Sequence, residues 1–257
     1  MSNTGSHLLR KIAGLLGRDY DDRVSTYSYS DAKLLPHRPA PSTVPMVYSD
    51  YADRLREHNA RAAADAIYNN ANELVNNPEF NQQWHQKGAV PPNQPWRFFR
   101  KPKCNLFGHY VTASSFDSPD RSKNGSNLVN INRTTGNLIN ASLLNKMLKD
   151  PSKYSKYTSG RIYPVPAELA PFAKGAFASS PTHVGITMGD GTTASAGDKL
   201  GAVRNAWGFR GNEKNMQYGY ILPEDVDGNV LLEDARKRRQ KFVNGLPPLV
   251  RKMVDYK

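Results

Sequence analysis

The single cysteine among 257 residues excludes an internal disulfide framework and any cysteine-rich metal site. The 35 Lys and Arg residues outnumber the 23 Asp and Glu residues, and the net charge of +12 indicates an anionic partner: nucleic acid, lipid head groups or cell-wall polymer. The sequence has no run of about 18 apolar residues, which excludes a membrane-spanning helix.

Residues 1–47 combine a short amphipathic stretch with a Ser-, Tyr- and Pro-rich arm. Apolar side chains between Leu8 and Leu16 fall on one side, which predicts a packing or docking helix, with a membrane-surface anchor as the alternative. Because the stretch lacks a continuous apolar region and a small-residue cleavage site, we expect no secretory signal and synthesis in the cytoplasm.

Residues 48–95 are predicted to form a helical extension. The Ala-rich stretch from Ser49 to Val75 contains no Gly or Pro, and either Ser49 or Asp50 is suited to cap its N-terminus. Pro78 ends the helix, because proline disfavours helical backbone in the residue before it. The aromatic side chains that follow indicate a segment wrapped onto a core.

Cys104 lies where the next helix begins, in the stretch KPKCNLFGHYV. We expect this helix over residues 105–114, because its apolar side chains form one stripe. A helix N-terminus, together with Lys101 and Lys103, favours the thiolate, which is the species that attacks. At the edge of the stripe, Cys104 is expected to be seated without being buried, with its backbone N–H available for an oxyanion hole.

The remaining elements follow a polar region over residues 112–140, which predicts a small hairpin around residues 133–136. A helix is predicted over residues 141–149. Four short runs, THVGITM, TTASA, LGAVRNA and QYGYIL, are separated by Gly-containing turns and predict an antiparallel meander. The basic tail, residues 223–257, is predicted to hold two helices. The fold class is therefore α+β, with the helix that carries Cys104 packed on an antiparallel sheet.

A cysteine nucleophile needs a base, and the candidates are six histidines. They are His7, His37, His58, His85, His109 and His183. His109 lies five residues after Cys104, about 140° around the same helix, so it is not placed to reach the sulfur. The first three are expected in solvated or packing positions, and His85 stays open. His183 begins a predicted strand and points away from the apolar face of Val184 and Ile186, which favours it as the base.

A third polar group is expected to orient the imidazole. If Gly189, Asp190 and Gly191 form a three-residue turn, Gly185 pairs with Ser195, and Ser195 then lies diagonal to His183 on the same face. Asn205, one strand further on, is the alternative.

These residues together resemble a known family. Cys-Asn-Leu-Phe opening a helix, His-Val-Gly-Ile before a Gly-Asp-Gly turn, and a strand leading into Asn-Ala-Trp-Gly-Phe are similar to NlpC-type cell-wall peptidases. The likeness is greatest to the branch that includes amidase effectors of type VI secretion and related bacteriophage enzymes. It covers roughly residues 96–222 and implies a papain-like core there.

The resemblance implies a cysteine peptidase or amidase that cleaves an amide bond in the stem peptide of peptidoglycan. It assigns Cys104 as the nucleophile, His183 as the general base and a position near Ser195 as the third group, with no metal or organic cofactor. The expected place of action is the periplasm or cell wall, reached by secretion, injection or lysis. The expected partners are peptidoglycan and either an immunity protein or a secretion or virion component.

Two other functions compete with hydrolysis. One is a non-catalytic virion or secretion-apparatus protein with a silent site. The other is nucleic-acid binding through the basic tail, where Arg236, Arg238 and Arg239 are candidate contacts to phosphates or to an anionic cell-wall polymer. Trp207 is a candidate contact to the substrate or polymer.

Overall fold

The computed structural model describes residues 45–77, 103–115, 129, 131–197, 201–210, 213–248 and 251. The chain divides into two compact units, Met1–Asp53 and Arg54–Lys257. Of the first unit, only residues 45–53 are described, and they are helical. The predicted N-terminal amphipathic helix, the Pro-rich arm and the wrapped segment before Cys104 lie outside the described residues. The predicted domain boundaries stay predictions.

One antiparallel sheet organises the second unit. Its six strands are β1 (Arg161–Pro164), β2 (Lys174–Ser179), β3 (Val184–Met188), β4 (Thr193–Gly197), β5 (Gly201–Asn205) and β6 (Gln217–Leu222), in the spatial order β1-β6-β2-β3-β4-β5. Strands β2 to β5 form a meander, and β6 returns to pair with β2 on its other side. The sheet and its helices confirm the predicted α+β class.

Five α-helices accompany the sheet in the described residues: α1 (Pro45–Asn76), α2 (Lys103–Ser115), α3 (Ala141–Lys149), α4 (Pro151–Tyr154) and α5 (Gly228–Asn244). Side-chain caps fix several of their starts. Asn140 Oδ1 accepts from Leu143 N at 2.8 Å, and Asp227 Oδ1 accepts from Asn229 N at 2.9 Å. None of the described helices combines the length and the apolar character needed to cross a bilayer.

Helix α1 begins earlier than its sequence predicts. Its first residue is Pro45, so Ser49 and Asp50 lie inside the helix and neither is the N-cap. Proline suits a first helical position because its missing N–H would have no partner there. The predicted end is confirmed, since the last helical residue is Asn76.

The sheet has two strands that the sequence patterns did not predict, β1 and β2. Strand β2 reads KGAFAS, and its small side chains give no β-branched signal. Strand β2 is buried because β3 and β6 pair with its two edges and α1 packs against it. A methyl group at Gly175 would lie 2.9 Å from Ala64 O of α1. The predicted hairpin in the polar region is a single bridge, Ile131 with Leu138.

The turn between β3 and β4 fixes the register of these two strands. Gly189 and Gly191 have φ of 80° and 78°, and Met188 N donates to Thr192 O at 2.9 Å. Arg204 of β5 donates to both Thr192 Oγ1 and the Asp190 carboxylate, which holds the turn against the sheet. Burial raises the pKa of Asp190, but bonds from Thr192 and the charge of Arg204 outweigh it and lower that pKa overall.

Strand β3 is covered on both faces, including the face opposite Val184 and Ile186. All five of its residues are buried. On one face, Gly108 of α2 lies against Val184, while on the other Gly185 lies against Trp207. The strand therefore lies between a helix and an aromatic loop.

Candidate active site

Helix α2 starts at Lys103 and Cys104 is its second residue, so the predicted helix over residues 105–114 is present but begins two residues earlier. Its side chain is only 1% exposed, so the expectation that it would be seated without being buried is wrong. The apolar stripe in the sequence predicts one buried face of α2, whereas in the structure the helix contacts both β3 and β4, and Cys104 is buried. Neither Lys101 nor the side chain of Lys103 is among the described parts of the chain.

Helix α2 is held close to the sheet by its glycine. A methyl group at Gly108 would lie 3.0 Å from Phe177 Cε1 and 3.2 Å from Val184 Cγ1, so only glycine permits this approach without a shift. Cys104 lies one helical turn before Gly108, and His183 directly precedes Val184. The predicted nucleophile and the predicted base thus both border one helix–strand contact.

His183 is fixed through its backbone and its ring. Its N–H donates to Ser180 Oγ at 3.0 Å, and its carbonyl accepts from Ser180 N at 2.9 Å. The ring nitrogen Nε2 lies 3.2 Å from Ser195 Oγ, within hydrogen-bonding distance. The pairs Ile186–Ala194 and Thr187–Thr193 confirm the register from which the proximity of Ser195 was predicted.

Trp207 lies beside the imidazole. Its ring meets the His183 ring edge-on, with centroids 4.5 Å apart and an interplanar angle of 84°. Trp207 is predicted from the sequence as a contact to substrate or anionic polymer; the structure does not test that role and shows the ring against the histidine. Trp207 is half-buried.

The loop that carries Trp207 is held by several polar bonds. Trp207 N donates to Asn205 Oδ1 at 2.8 Å, and Trp207 O accepts from Thr193 Oγ1 at 3.0 Å. Tyr218 Oη donates to Gly208 O, and burial, with the charge of Glu213, raises the pKa of Tyr218 to about 12. The Tyr218 hydroxyl therefore stays protonated as a donor.

Asn205 was the alternative to Ser195 as the group that orients His183. Its side-chain oxygen instead accepts from the backbone of Trp207. Between these two candidates, Ser195 contacts the imidazole, and Asn205 holds the backbone of Trp207, whose ring lies against His183. The positioning roles of Thr193 and Tyr218 had no sequence signal, because both depend on long-range contacts.

His109 occupies the core. It is 1% exposed, and burial lowers its pKa from 6.5 to about 3, so the ring is neutral at ordinary pH. Of the other histidines, His58 lies exposed on α1. The remaining three, His7, His37 and His85, lie outside the described residues.

The basic helix α5 offers fewer available cations than its sequence indicates. Arg236 pairs with Glu233 at 3.3 Å, and both side chains are exposed. Arg238 Nε donates to the carbonyl of Phe172 at 2.7 Å, so its guanidinium anchors α5 to the body of the protein. Arg239 is half-buried.

In the parts of the chain that are described, no group of three His, Cys, Asp or Glu side chains is arranged to hold a metal ion. No family model, curated protein or solved structure matches the chain.

Proposed function

We propose that the protein is a cysteine hydrolase with an NlpC-type, papain-like core that cleaves an amide bond in the stem peptide of peptidoglycan. The observation that carries the proposal is the contact between His183 Nε2 and Ser195 Oγ at 3.2 Å, at the start of a strand packed against the Cys104 helix. With Nε2 against the serine hydroxyl, we assign proton transfer to the other ring nitrogen, Nδ1.

In this mechanism, Nε2–H of His183 donates to Ser195 Oγ, and Nδ1 accepts the thiol proton of Cys104. The thiolate attacks the peptide carbonyl, and backbone N–H groups at the start of α2, including that of Cys104, stabilise the oxyanion. The imidazolium then protonates the departing amine. Water deprotonated by His183 releases the acyl group and regenerates the thiol.

Ser195 and Trp207 are positioning residues in this mechanism. The serine hydroxyl is uncharged, so it orients the imidazole but stabilises the imidazolium less than a carboxylate would. The edge of Trp207 restricts the ring to the orientation in which Nε2 meets the serine. Arg238 is not assigned a role in polymer binding, because it is bonded to Phe172.

The burial of Cys104 adds one requirement. At 1% exposure, the sulfur contacts protein and not solvent, so a peptide carbonyl reaches it only if neighbouring groups move aside. We assign that opening to substrate binding. The biological setting that fits this chemistry is an antibacterial secreted effector or a bacteriophage lytic enzyme.

The test is digestion of purified peptidoglycan sacculi, with released muropeptides separated by chromatography. Wild type should release new muropeptides, and Cys104→Ala should release none. Cys104→Ser preserves the size of the side chain and should be at least 10²-fold slower, because a serine hydroxyl is a poorer nucleophile than a thiolate. Lys237→Gln, an exposed change on α5, should match wild type.

Absence of product from wild type would reject the hydrolase and favour an interaction protein with a silent site. Equal product from wild type and Cys104→Ala would remove Cys104 from the mechanism.

A further inference from the structure

A cleft with a volume of about 860 Å³ lies at the β1 edge of the sheet, away from the candidate active site. It borders Arg161 at the start of β1, whose partner in the sheet is Leu222 at the end of β6. His183 lies near the opposite end of β6, where Gln217 pairs with Ser179. Strands β6 and β2 lie between β1 and β3, so the cleft and the imidazole lie at different parts of the sheet.

The cleft presents charges of both signs from two separate segments. Arg133, Lys156 and Arg161 come from the stretch before and within β1, and Glu224 and Asp225 come from the turn after β6. All five are exposed. Among the described residues, no ion pair within 4.0 Å involves any of them.

Backbone and aromatic contacts fix the two charged segments relative to each other. Arg133 N donates to Tyr157 O at 3.0 Å, which joins the polar turn to the segment before β1. Tyr163 Oη donates to Val226 O at 3.3 Å, which joins β1 to the turn after β6. A methyl group at Gly228 would lie 2.4 Å from the Tyr163 ring, so the start of α5 is packed tightly against that ring.

The floor and volume of the cleft suit a small ligand. Ile162 and Tyr163 are among the residues that line the cleft and add apolar side chains to its charged ones. The volume lies within the range of pockets that bind small molecules. Asp227 also borders the cleft, but its carboxylate caps α5 and pairs with Arg56 at 3.6 Å. It therefore has a structural role, and the available carboxylates are Glu224 and Asp225.

We propose that this cleft binds a short zwitterionic peptide, with the carboxylate held by Arg133, Lys156 and Arg161 and the ammonium group by Glu224 and Asp225. Lys156 Nζ lies 5.2 Å from the centroid of the Tyr157 ring, but no ion pair within 4.0 Å among the described residues takes up any of these five charges. Cations and carboxylates that border one cleft without forming ion pairs each lower the energy of the opposite charge on a ligand. A ligand with one charge satisfies half of the site. The inference does not depend on hydrolysis at Cys104.

The test is isothermal titration calorimetry of the full chain at low salt with four forms of trialanine. These are the zwitterion, the N-acetylated anion, the C-amidated cation and the doubly blocked neutral peptide. The zwitterion should bind at least tenfold more tightly than either singly blocked form, and the neutral peptide most weakly.

Two variants separate the half-sites. Arg161→Gln should lower the affinity for the zwitterion and for the N-acetylated anion at least fivefold, and it should leave the affinity for the C-amidated cation unchanged. Asp225→Asn should lower the affinity for the zwitterion and for the cation, and it should leave the affinity for the anion unchanged. Lys237→Gln, which removes an exposed cation outside the cleft, is the matched control and should bind all forms as wild type does.

Cys104→Ala should bind the zwitterion with the affinity of wild type. Calorimetry therefore tests this cleft independently of muropeptide release, which tests the proposed hydrolase. The proposal is overturned if the N-acetylated peptide binds as tightly as the zwitterion, if none of the peptides binds, or if Arg161→Gln and Asp225→Asn leave binding unchanged. Thermal unfolding of each variant should match wild type, because the substituted side chains are exposed.

Discussion

The region around His109 and the region around His183 share the helix α2 but surround a histidine in different ways. His109 projects from α2 into the core, and burial lowers its pKa to about 3. His183 is half-buried at the start of β3, between the hydroxyl of Ser195 and the edge of Trp207. In the first region, desolvation keeps the ring neutral, whereas in the second a half-buried ring has a hydroxyl and an aromatic ring as neighbours.

This comparison shows that closeness in sequence is a poor guide to the surroundings of a histidine. His109 is five residues from Cys104, yet it belongs to the core. His183 is far along the chain, yet it adjoins the contact that Gly108 makes with Val184. The four predictions below test this contrast, from the largest expected effect to the smallest.

Replacing each histidine in turn should have very different effects on the rate of muropeptide release. His183→Ala should lower the rate of muropeptide release by about 10²–10⁴-fold, because the general base is lost. His109→Leu should retain activity within a few-fold of wild type, measured below its unfolding temperature and per folded molecule. The contrast is wrong if His109→Leu loses as much activity as His183→Ala while circular dichroism shows it folded.

The buried His109 should make stability depend on pH. The unfolded chain takes up a proton below about pH 6.5, whereas the folded chain does so only near pH 3. Stability from the neutral ring is therefore fully present above pH 6.5 and is lost as pH falls toward 3. Between pH 6 and 4, the unfolding free energy should fall more steeply in wild type than in His109→Leu, by roughly 1 kcal/mol per pH unit.

Chemical denaturation across this pH range measures that difference in slope. His58→Gln changes an exposed histidine on α1 and should keep the wild-type slope. Identical slopes in wild type and His109→Leu would show that His109 is not buried as described.

Adding one methyl group to α2 should disturb the contact that both regions share. Gly108→Ala places a methyl group 3.0 Å from Phe177 and 3.2 Å from Val184, both buried, and should lower the unfolding free energy by about 1–2 kcal/mol. The gain in helix propensity, about 1 kcal/mol, offsets only part of the strain.

Gly245→Ala is the matched glycine control for this measurement. Its added methyl group meets no atom closer than 3.4 Å, so the substitution should be neutral or slightly stabilising. Equal stability of the two variants in urea denaturation would contradict the close approach of α2 to β3.

Removing the serine hydroxyl should weaken the His183 region without unfolding it. Ser195→Ala should lower kcat about tenfold with little change in KM, and it should shift the acidic limb of the pH–rate profile, because the imidazole loses a hydrogen-bond partner. Ser155→Ala removes an exposed serine at the cleft beside β1 and should have the kcat and the pH–rate profile of wild type. A wild-type profile for Ser195→Ala would leave the serine with only a packing role.

Much of the site's scaffold was predictable from sequence because it depends on neighbouring residues. Positive φ at Gly189 and Gly191 and the three-residue turn between them are local properties, and they set the pairing that brings Ser195 to His183. The helix start beside Cys104 and the whole of α3 likewise follow from local patterns. The catalytic roles of these residues remain predictions.

Other features were not predictable because they depend on packing across the chain. Strand β2 has small side chains with no β signal and is stabilised by β3, β6 and α1. Helix α1 starts at Pro45, four residues before the predicted start, because Ser49 and Asp50 favour a cap locally while a proline at the first helical position is also well tolerated.

The sequence by itself determined which side chains this protein offers for chemistry and, through turns and periodicity, the element on which each one lies. Only the tertiary structure decided their surroundings: that Cys104 is buried, that Trp207 lies against His183 and that Arg238 is bonded to Phe172. The physical reason is range. Turns and helix starts are set by backbone preferences over a few residues, whereas burial and orientation depend on contacts between segments that are distant in sequence.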